Sequence, residues 1–459
     1  MQNPQPEISD LRSPAPTDLP GEIEPLHAEP APPVRKGAFR ALSHRNYRLF
    51  FFGQLISVIG TWMQDTALKL LVVRLVANPA QAAAWLGAVS FIPLIPLLPV
   101  ALIGGSLVDR FPRRRLVLLT QSTMMVQALL LFALTASGVV TVWHILLLSV
   151  LSSIANAIDV PARQTLVSEM VEGNRDDLGG AIALNSSIFN LGRAVGPAIA
   201  GVIVAVVGEA DAFLVNALSF IAVLIGLLLM RLPPRHIEKP PKLGQHLKAG
   251  FNYLRNERTI LILMSMIATV AFLAMPFTQM LPLFATYTLA DSAQPLTAFV
   301  CARMACVTPE ALTLGLLNAC FGIGALTGAL LVASQSAERG RGKMLTTGNI
   351  AFPLILLCFA LSRSLWLSFG LLFLVGIGWV LQTSLTNTLL QLTAPDHVRG
   401  RVMSVYSILF QGMWRIGSMG TGFLAALAGP PFAVGLGAAL ALAYGVFAAL
   451  RWPRVRKLA

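Results

Sequence analysis

Charge is scarce in this chain: 12% of its 459 residues are Asp, Glu, Lys or Arg, about half the ~25% of an ordinary soluble domain. Cysteine is scarcer still. Four cysteines are too few to frame a disulfide-built fold, and none stands near histidine at metal-ligand spacing, so neither a metal nor another cofactor is expected. The phosphate-binding pattern Gly-x-x-x-x-Gly-Lys-Ser/Thr is missing, as are acidic pairs suited to hydrolysis, which excludes ATP hydrolysis and leaves no enzyme chemistry to assign. What is abundant is apolar: 55% hydrophobic residues and a mean hydropathy of +0.71, the composition of a polytopic membrane protein. The net charge of +13 does not point to nucleic acid, because the basic residues fall in short clusters between apolar segments rather than on one face.

The stretch from Gly105 to Arg115 sets the plan of the chain. It packs Asp109, Arg110, Arg113, Arg114 and Arg115 between two apolar runs, each longer than the ~20 residues that cross a bilayer. It therefore reads as a tight hairpin between two membrane helices, held on the cytoplasmic side by its four arginines. Twelve spans follow on the same reading, near 49–76, 84–108, 116–137, 141–161, 178–207, 212–230, 259–289, 311–335, 344–362, 364–394, 402–428 and 431–450. With both termini cytoplasmic, 28 of the 34 Lys and Arg residues lie in cytoplasmic segments, two lie outside (Arg303 and Arg363) and four lie within spans (Lys69, Arg74, Arg193 and Arg415). That asymmetry fixes the expected orientation in the cell inner (plasma) membrane.

The spans divide as a tail over 1–38, a six-helix bundle over 39–231, a linker over 232–258, a second six-helix bundle over 259–451 and a basic tail over 452–459. The first tail is proline-rich and acidic and is expected to be disordered. Leu243, Leu247, Phe251 and Leu254 in the linker have the spacing of a short amphipathic helix on the membrane surface; a solvated linker is the plainer alternative. The halves echo one another: Gly179-Gly180-Ala181 leading to Gly196 and Gly201 returns about 221 positions later as Gly400-Arg401-Val402 leading to Gly417 and Gly422. Duplicated halves suit a transporter with its substrate site between them near the midplane.

Two further patterns carry chemistry. In the fifth span, Gly192, Gly196 and Gly201 allow close helix packing and Pro197 bends the helix. Charges inside spans are costly in lipid and face a cavity or a partner. Asp65 and Lys69, four apart on the first span, can pair with each other, whereas Arg193 and Arg415 have no acidic neighbour in their own helices. Asp65 is the one acidic side chain expected well inside a span, and a proton-driven carrier needs such a group. Cys301 and Cys306, in a segment expected outside, are either a local disulfide staple or two free thiols in a short helix.

Gly105-x-x-x-Asp109-Arg110-x-x-Arg113-Arg114 resembles the loop signature of the major facilitator superfamily, with Pro112 where a glycine is usual. Phe39 to Phe50, Gly53-Gln54-Leu55, Gly60 to Gln64 and Asp159 to Gln164 are similar to its enterobactin-exporter-like, transmembrane secretion effector branch of drug:proton antiporters. The glycine–proline pattern of the fifth span resembles that group's antiporter motif, with Ala200 in place of a glycine. The resemblance implies an all-α fold of twelve helices in two six-helix halves, and export by alternating access. It also implies that Asp109 closes the cytoplasmic side, the plainer alternative being that the loop charges only set topology; Arg401, at the start of the eleventh span, is a cation placed to pair with it. With the first, fourth, seventh and tenth spans lining the cavity, Gln64, Asp65, Asn156, Gln279, Gln382 and Asn387 are candidate lining residues, with Trp62 and Met63 as apolar contacts. The expected partners are the lipid bilayer, a proton and a small amphipathic substrate, drug-like or siderophore, carried by a monomer. A lipid or lysolipid flippase, and a non-transporting sensor or scaffold on the same fold, are the alternatives.

Overall fold

The computed structural model describes residues 38–97, 99–100, 108, 110–171, 175–231, 257–334 and 340–457. Residues from Ala38 onward form one compact unit. The expected tail, Gly105, Asp109 and nearly all of the linker lie outside the described residues.

A short 3-10 turn, Ala38–Ser43, leads into α1 (Arg45–Leu75), α2 (Pro79–Leu97), α3 (Arg113–Ala136), α4 (Val142–Met170), α5 (Arg175–Val207) and α6 (Glu209–Leu229). After the linker come α7 (Arg258–Thr288), α8 (Ala290–Met304), α9 (Pro309–Ala333), α10 (Arg341–Leu361), α11 (Leu365–Thr393), α12 (Asp396–Ala428) and α13 (Pro430–Arg451). In hydrocarbon every backbone N–H and C=O must bond within its own segment, and a helix does this along a single run. Eleven helices among the described residues are long and apolar enough to cross a membrane. The one at the place of the expected eleventh span, α12, has 33 residues but is more polar, because Arg399, Arg401, Gln411 and Arg415 lie along it. The fourth span is longer than expected: α4 runs through Pro161 to Met170.

The face where α1 begins and α6 ends is called the base here, and the opposite one the far face. At the base, Arg114 Nε and Nη2 donate to the carbonyls of Leu227 and Leu228, 2.6 and 2.7 Å away, closing the open end of α6. Arg113 pairs with Glu169 at 2.6 Å, and Asp177 takes Arg40 and His44 at 3.0 and 2.9 Å. Arginines of the expected gating loop thus act partly as helix caps and ties. Trp143 and Trp366, near the far-face starts of α4 and α11, are exposed, as aromatic side chains are at a membrane–water boundary.

The repeat seen in the sequence has a backbone counterpart. Gly208 joins α5 to α6 at φ 92°, and Gly429, 221 positions later, joins α12 to α13 at φ 87°. Only glycine adopts such a φ without cost. A second matched pair seams the first six helices to the rest. A Cβ on Gly201 (α5) would lie 2.5 Å from Gly315 Cα (α9), and one on Gly422 (α12) would lie 2.9 Å from Gly87 Cα (α2). Both contacts sit toward the far face. Also there, Val307 N donates to Ala205 O at 2.7 Å, and Arg74 reaches both Glu209, at 2.6 Å, and Thr308 Oγ1, at 3.1 Å.

The segment before Thr308 is not a simple loop. It forms α8, whose last turn holds Cys301, bonded to Cys306 with Cα atoms 4.9 Å apart. Ala305, at φ 50°, turns the chain back between them.

Candidate functional site

The cavity is built on breaks in its helices. In α2, Pro93 has no N–H to donate, and neighbouring carbonyls are taken by side chains: Ser153 Oγ donates to Pro93 O at 2.8 Å and Arg415 Nη1 to Ser90 O at 3.2 Å. In α7, wide π-turns at Val270–Ala274 and Phe284–Thr288 flank Pro276 and Pro282. The first turn directs the carbonyls of Phe272 and Leu273 against Gly417 of α12 and Gly437 of α13, where no larger side chain fits. Such wide turns recur at functional sites.

Three adjoining chambers result. The middle one, about 110 Å³, is walled by Trp62, Asp65 and Lys69 of α1, Arg193 of α5, Trp379 of α11 and Trp414 of α12. A lateral chamber of about 280 Å³ shares Asp65, Lys69 and Trp414 and adds Gln64, Asn156, Gln279 and Arg415. A basal chamber of about 460 Å³ shares Arg193, Trp379 and Phe410 and adds Asn190, Thr383, Asn387 and Tyr406. Asn190 is exposed where it lines this chamber, and Ser186, Ser404 and Ser407 are exposed farther toward the base on α5 and α12.

The structure thus brings Gln64, Asp65, Lys69, Asn156, Gln279 and Arg415 to one chamber and Asn387 to another. Gln64 is also tied into the first half, donating to Gln127 at 3.0 Å and accepting from Asn216 at 2.7 Å. Gln382 departs from expectation. It is fully buried against Asn349, to which it donates at 3.1 Å, and lines none of the three chambers. The residues of α11 that face the cavity include Trp379, Thr383 and Asn387, spaced by four along the helix, each with its neighbour Val380, Ser384 or Thr388 beside it. In the glycine–proline pattern, Gly192 and Gly196 seat α5 on Val58 and Trp62 of α1, while Gly201 packs across to α9. Arg110 is exposed and Arg401 half-buried.

The charges divide unevenly. Asp65 Oδ2 and Lys69 Nζ form an ion pair of 2.6 Å, with 46% of the aspartate side chain exposed to the cavity. The Arg193 guanidinium lies 5.4 Å from the Trp62 ring centroid and 4.6 Å from that of Trp379. It forms no ion pair among the described residues, and its Nε has no hydrogen-bond partner. Trp379 Nε1 and Trp414 Nε1 are likewise buried without acceptors. Three cations against one anion leave the described cavity wall with a net charge of +2.

A further acid corrects the expectation that Asp65 stands alone within the spans. Because α4 continues past Pro161, Asp159 is internal, 1% exposed. It pairs with Arg163 at 3.0 Å and accepts from Thr120 at 2.7 Å and Gln121 at 2.9 Å. The Asp159-Val160-Pro161-Ala162-Arg163 run was legible, but its burial depends on where α4 stops.

The sequence profile of the transmembrane secretion effector family matches residues 36–458. Over 180 residues the chain is 31% identical to the staphyloferrin A transporter of Staphylococcus aureus, a match covering 39% of this chain and 44% of that protein. It is 26% identical to the multidrug efflux pump Tap of Mycobacterium tuberculosis, covering 89% of this chain and 94% of the pump. With the enterobactin exporter EntS of Shigella flexneri it shares 24% identity over 80% of this chain and 81% of the exporter. Among solved structures, a bacterial homologue of the human lysosomal transporter Spinster, inward-facing and unoccupied, superposes with a TM-score of 0.68 over 90% of this chain and 98% of the other. At 14% identity this is likeness of fold.

Proposed function

The chain belongs to the transmembrane secretion effector family of the major facilitator superfamily, and from that premise we propose that it exports a small amphipathic molecule by alternating access, driven by a proton gradient. The observation that carries the reading is the position of Asp65. It is exposed in a cavity enclosed by both halves and touches the middle and lateral chambers at once, so its charge is felt by a substrate in either. Its ion pair with Lys69 gives the carboxylate a partner to leave when it takes up a proton. Two of the relatives above are named as exporters of a siderophore or of several drugs, which supports outward transport of an amphipathic compound. Asp109, closing the base against Arg401, completes this reading.

Everted membrane vesicles energised to an acidic interior test it. Vesicles carrying the protein should accumulate a fluorescent amphipathic dye and release it when a protonophore collapses the gradient. Accumulation that is indifferent to the gradient would remove proton drive from the proposal and leave a carrier that follows its substrate's own gradient.

The base is taken as cytoplasmic because the basic residues crowd there, and the Cys301–Cys306 bond suits an oxidising outer side. In a background lacking the native cysteines, Val139→Cys in the exposed far-face turn after α3 should react with a membrane-impermeant maleimide in intact cells. Phe111→Cys, equally exposed at the base, should react only after permeabilisation. The opposite pattern would invert the orientation.

A further inference from the structure

We infer that the cavity selects an anionic amphipath, whose acid group is received by the edge of the Arg193 guanidinium between Trp62 and Trp379. The inference rests on the transport reading but names what that reading leaves open, the charge class of the cargo.

A lone guanidinium well inside a membrane helix is retained only where something repays its desolvation. Here the described residues supply no counterion. The one carboxylate in the middle chamber, Asp65, is already held by Lys69 at 2.6 Å. The two indole rings lie on Arg193 at 5.4 and 4.6 Å, and cation–π contact of this kind offsets part of the cost while leaving the N–H groups unbonded. Those N–H groups form a planar fork that matches the paired oxygens of a carboxylate, sulfonate or phosphate. Nε has no partner among the described residues, and the two other buried donors without acceptors there, Trp379 Nε1 and Trp414 Nε1, belong to residues that wall the same chamber. Three side chains that carry unbonded donors wall one small space, with no unpaired acceptor charge beside them, and a small rotation of the guanidinium edge into that space would meet an acceptor-rich ligand group and repel an ammonium.

Apart from Thr66, Thr278 and Asn318, the rest of the wall is apolar or aromatic. Met275, Leu314, Phe321 and Phe410 surround the same space, so the acid must be attached to a hydrophobic or aromatic body. Arg415, in the adjoining lateral chamber, adds to the positive field without competing for the same edge, since it is bonded to Ser90 O.

The test uses three probes of one shape and different charge: 2-naphthoate, 2-naphthamide and 2-naphthylmethylammonium. Their binding to the purified full-length protein in detergent is measured by equilibrium dialysis with radiolabel and no proton gradient. Naphthoate should bind at least about 10-fold more tightly than either other probe, the scale of one charged hydrogen-bond pair. Arg193→Gln should remove that advantage while leaving naphthamide binding within about 2-fold, which also reports that the variant is folded. Arg193→Lys should restore part of it, since an ammonium keeps the charge but loses the fork. Equal binding of the three probes, a preference for the ammonium, no binding of any of them, or a naphthoate preference that survives Arg193→Gln would overturn the inference. Because no gradient is applied, these outcomes stand apart from the vesicle assay: a gradient-driven exporter without anion preference refutes this inference alone, and an anion-selective cavity without gradient-driven flux refutes the coupling alone.

Discussion

Asp65→Asn should reduce gradient-driven export to the level of protein-free vesicles while exchange of labelled for unlabelled substrate continues. Asparagine has the same shape but carries no titratable proton, so the substitution leaves the cavity's dimensions intact and removes only the capacity to bind and release H⁺. Exchange without a gradient requires the protein to bind substrate and change conformation, but it does not require the proton. The pair of measurements therefore separates a coupling group from a structural one. Lys69 would lose its partner at 2.6 Å in the variant, but Asp65 is 46% exposed in the cavity, so water can solvate the ammonium and the fold should persist. If driven export survives Asp65→Asn unchanged, Asp65 and Lys69 are a structural ion pair, and the coupling acid must be sought elsewhere, with Asp159 the first alternative.

Asp159→Ala should instead be a stability defect, of about 3–5 kcal/mol. The carboxylate is almost fully buried and serves three donors at once, Arg163 and the side chains of Thr120 and Gln121. Removing it leaves Arg163, 7% exposed, with the Phe189 ring at 5.2 Å beside its guanidinium and no other acid paired with it among the described residues. A buried charge without its counterion is the expensive case, whereas replacing both partners by apolar groups of similar volume is often nearly neutral. Asp159→Ala should thus lower the denaturation midpoint in detergent markedly, and Asp159→Ala combined with Arg163→Met should regain most of the loss. A double variant no more stable than the single would show that Asp159 acts through something other than its pair with Arg163.

These two acids mark what could be read from the sequence. The order of the long helices follows from apolar runs, because lipid permits so few backbone solutions, whereas the extension of α4 to Met170 and the extra helix α8 did not show in them. Gly208 and Gly429 could be placed by their common spacing from the glycines of α5 and α12. Helix rotation was harder to read. In a soluble protein the apolar stripe marks the buried face, but in lipid both the packed and the outward faces are apolar, and the stripe disappears. So Gln382 looked like a cavity residue although Trp379 and Thr383, on the neighbouring face of α11, are the ones that reach it. The same ambiguity hid the role of Trp414. Asp159 was misjudged for a different reason: Pro161 signals a helix end in water, whereas here α4 passes through it to Met170.

The paired glycine seams also act as a fulcrum. Gly201 on Gly315 and Gly87 on Gly422 are two separate contacts between the halves, and with no side chains between them each allows one backbone to roll on the other. A line through both contacts runs near the far face, so the helices below it are long lever arms. At 1.5 Å of rise per residue, some 20 residues of arm reach about 30 Å, and a tilt of roughly 10° carries the base ends about 5 Å. The near ends scarcely move. A small adjustment at the seam, where Arg74 holds Glu209 and Thr308, is thereby geared up into a much larger displacement of the helix ends at the base.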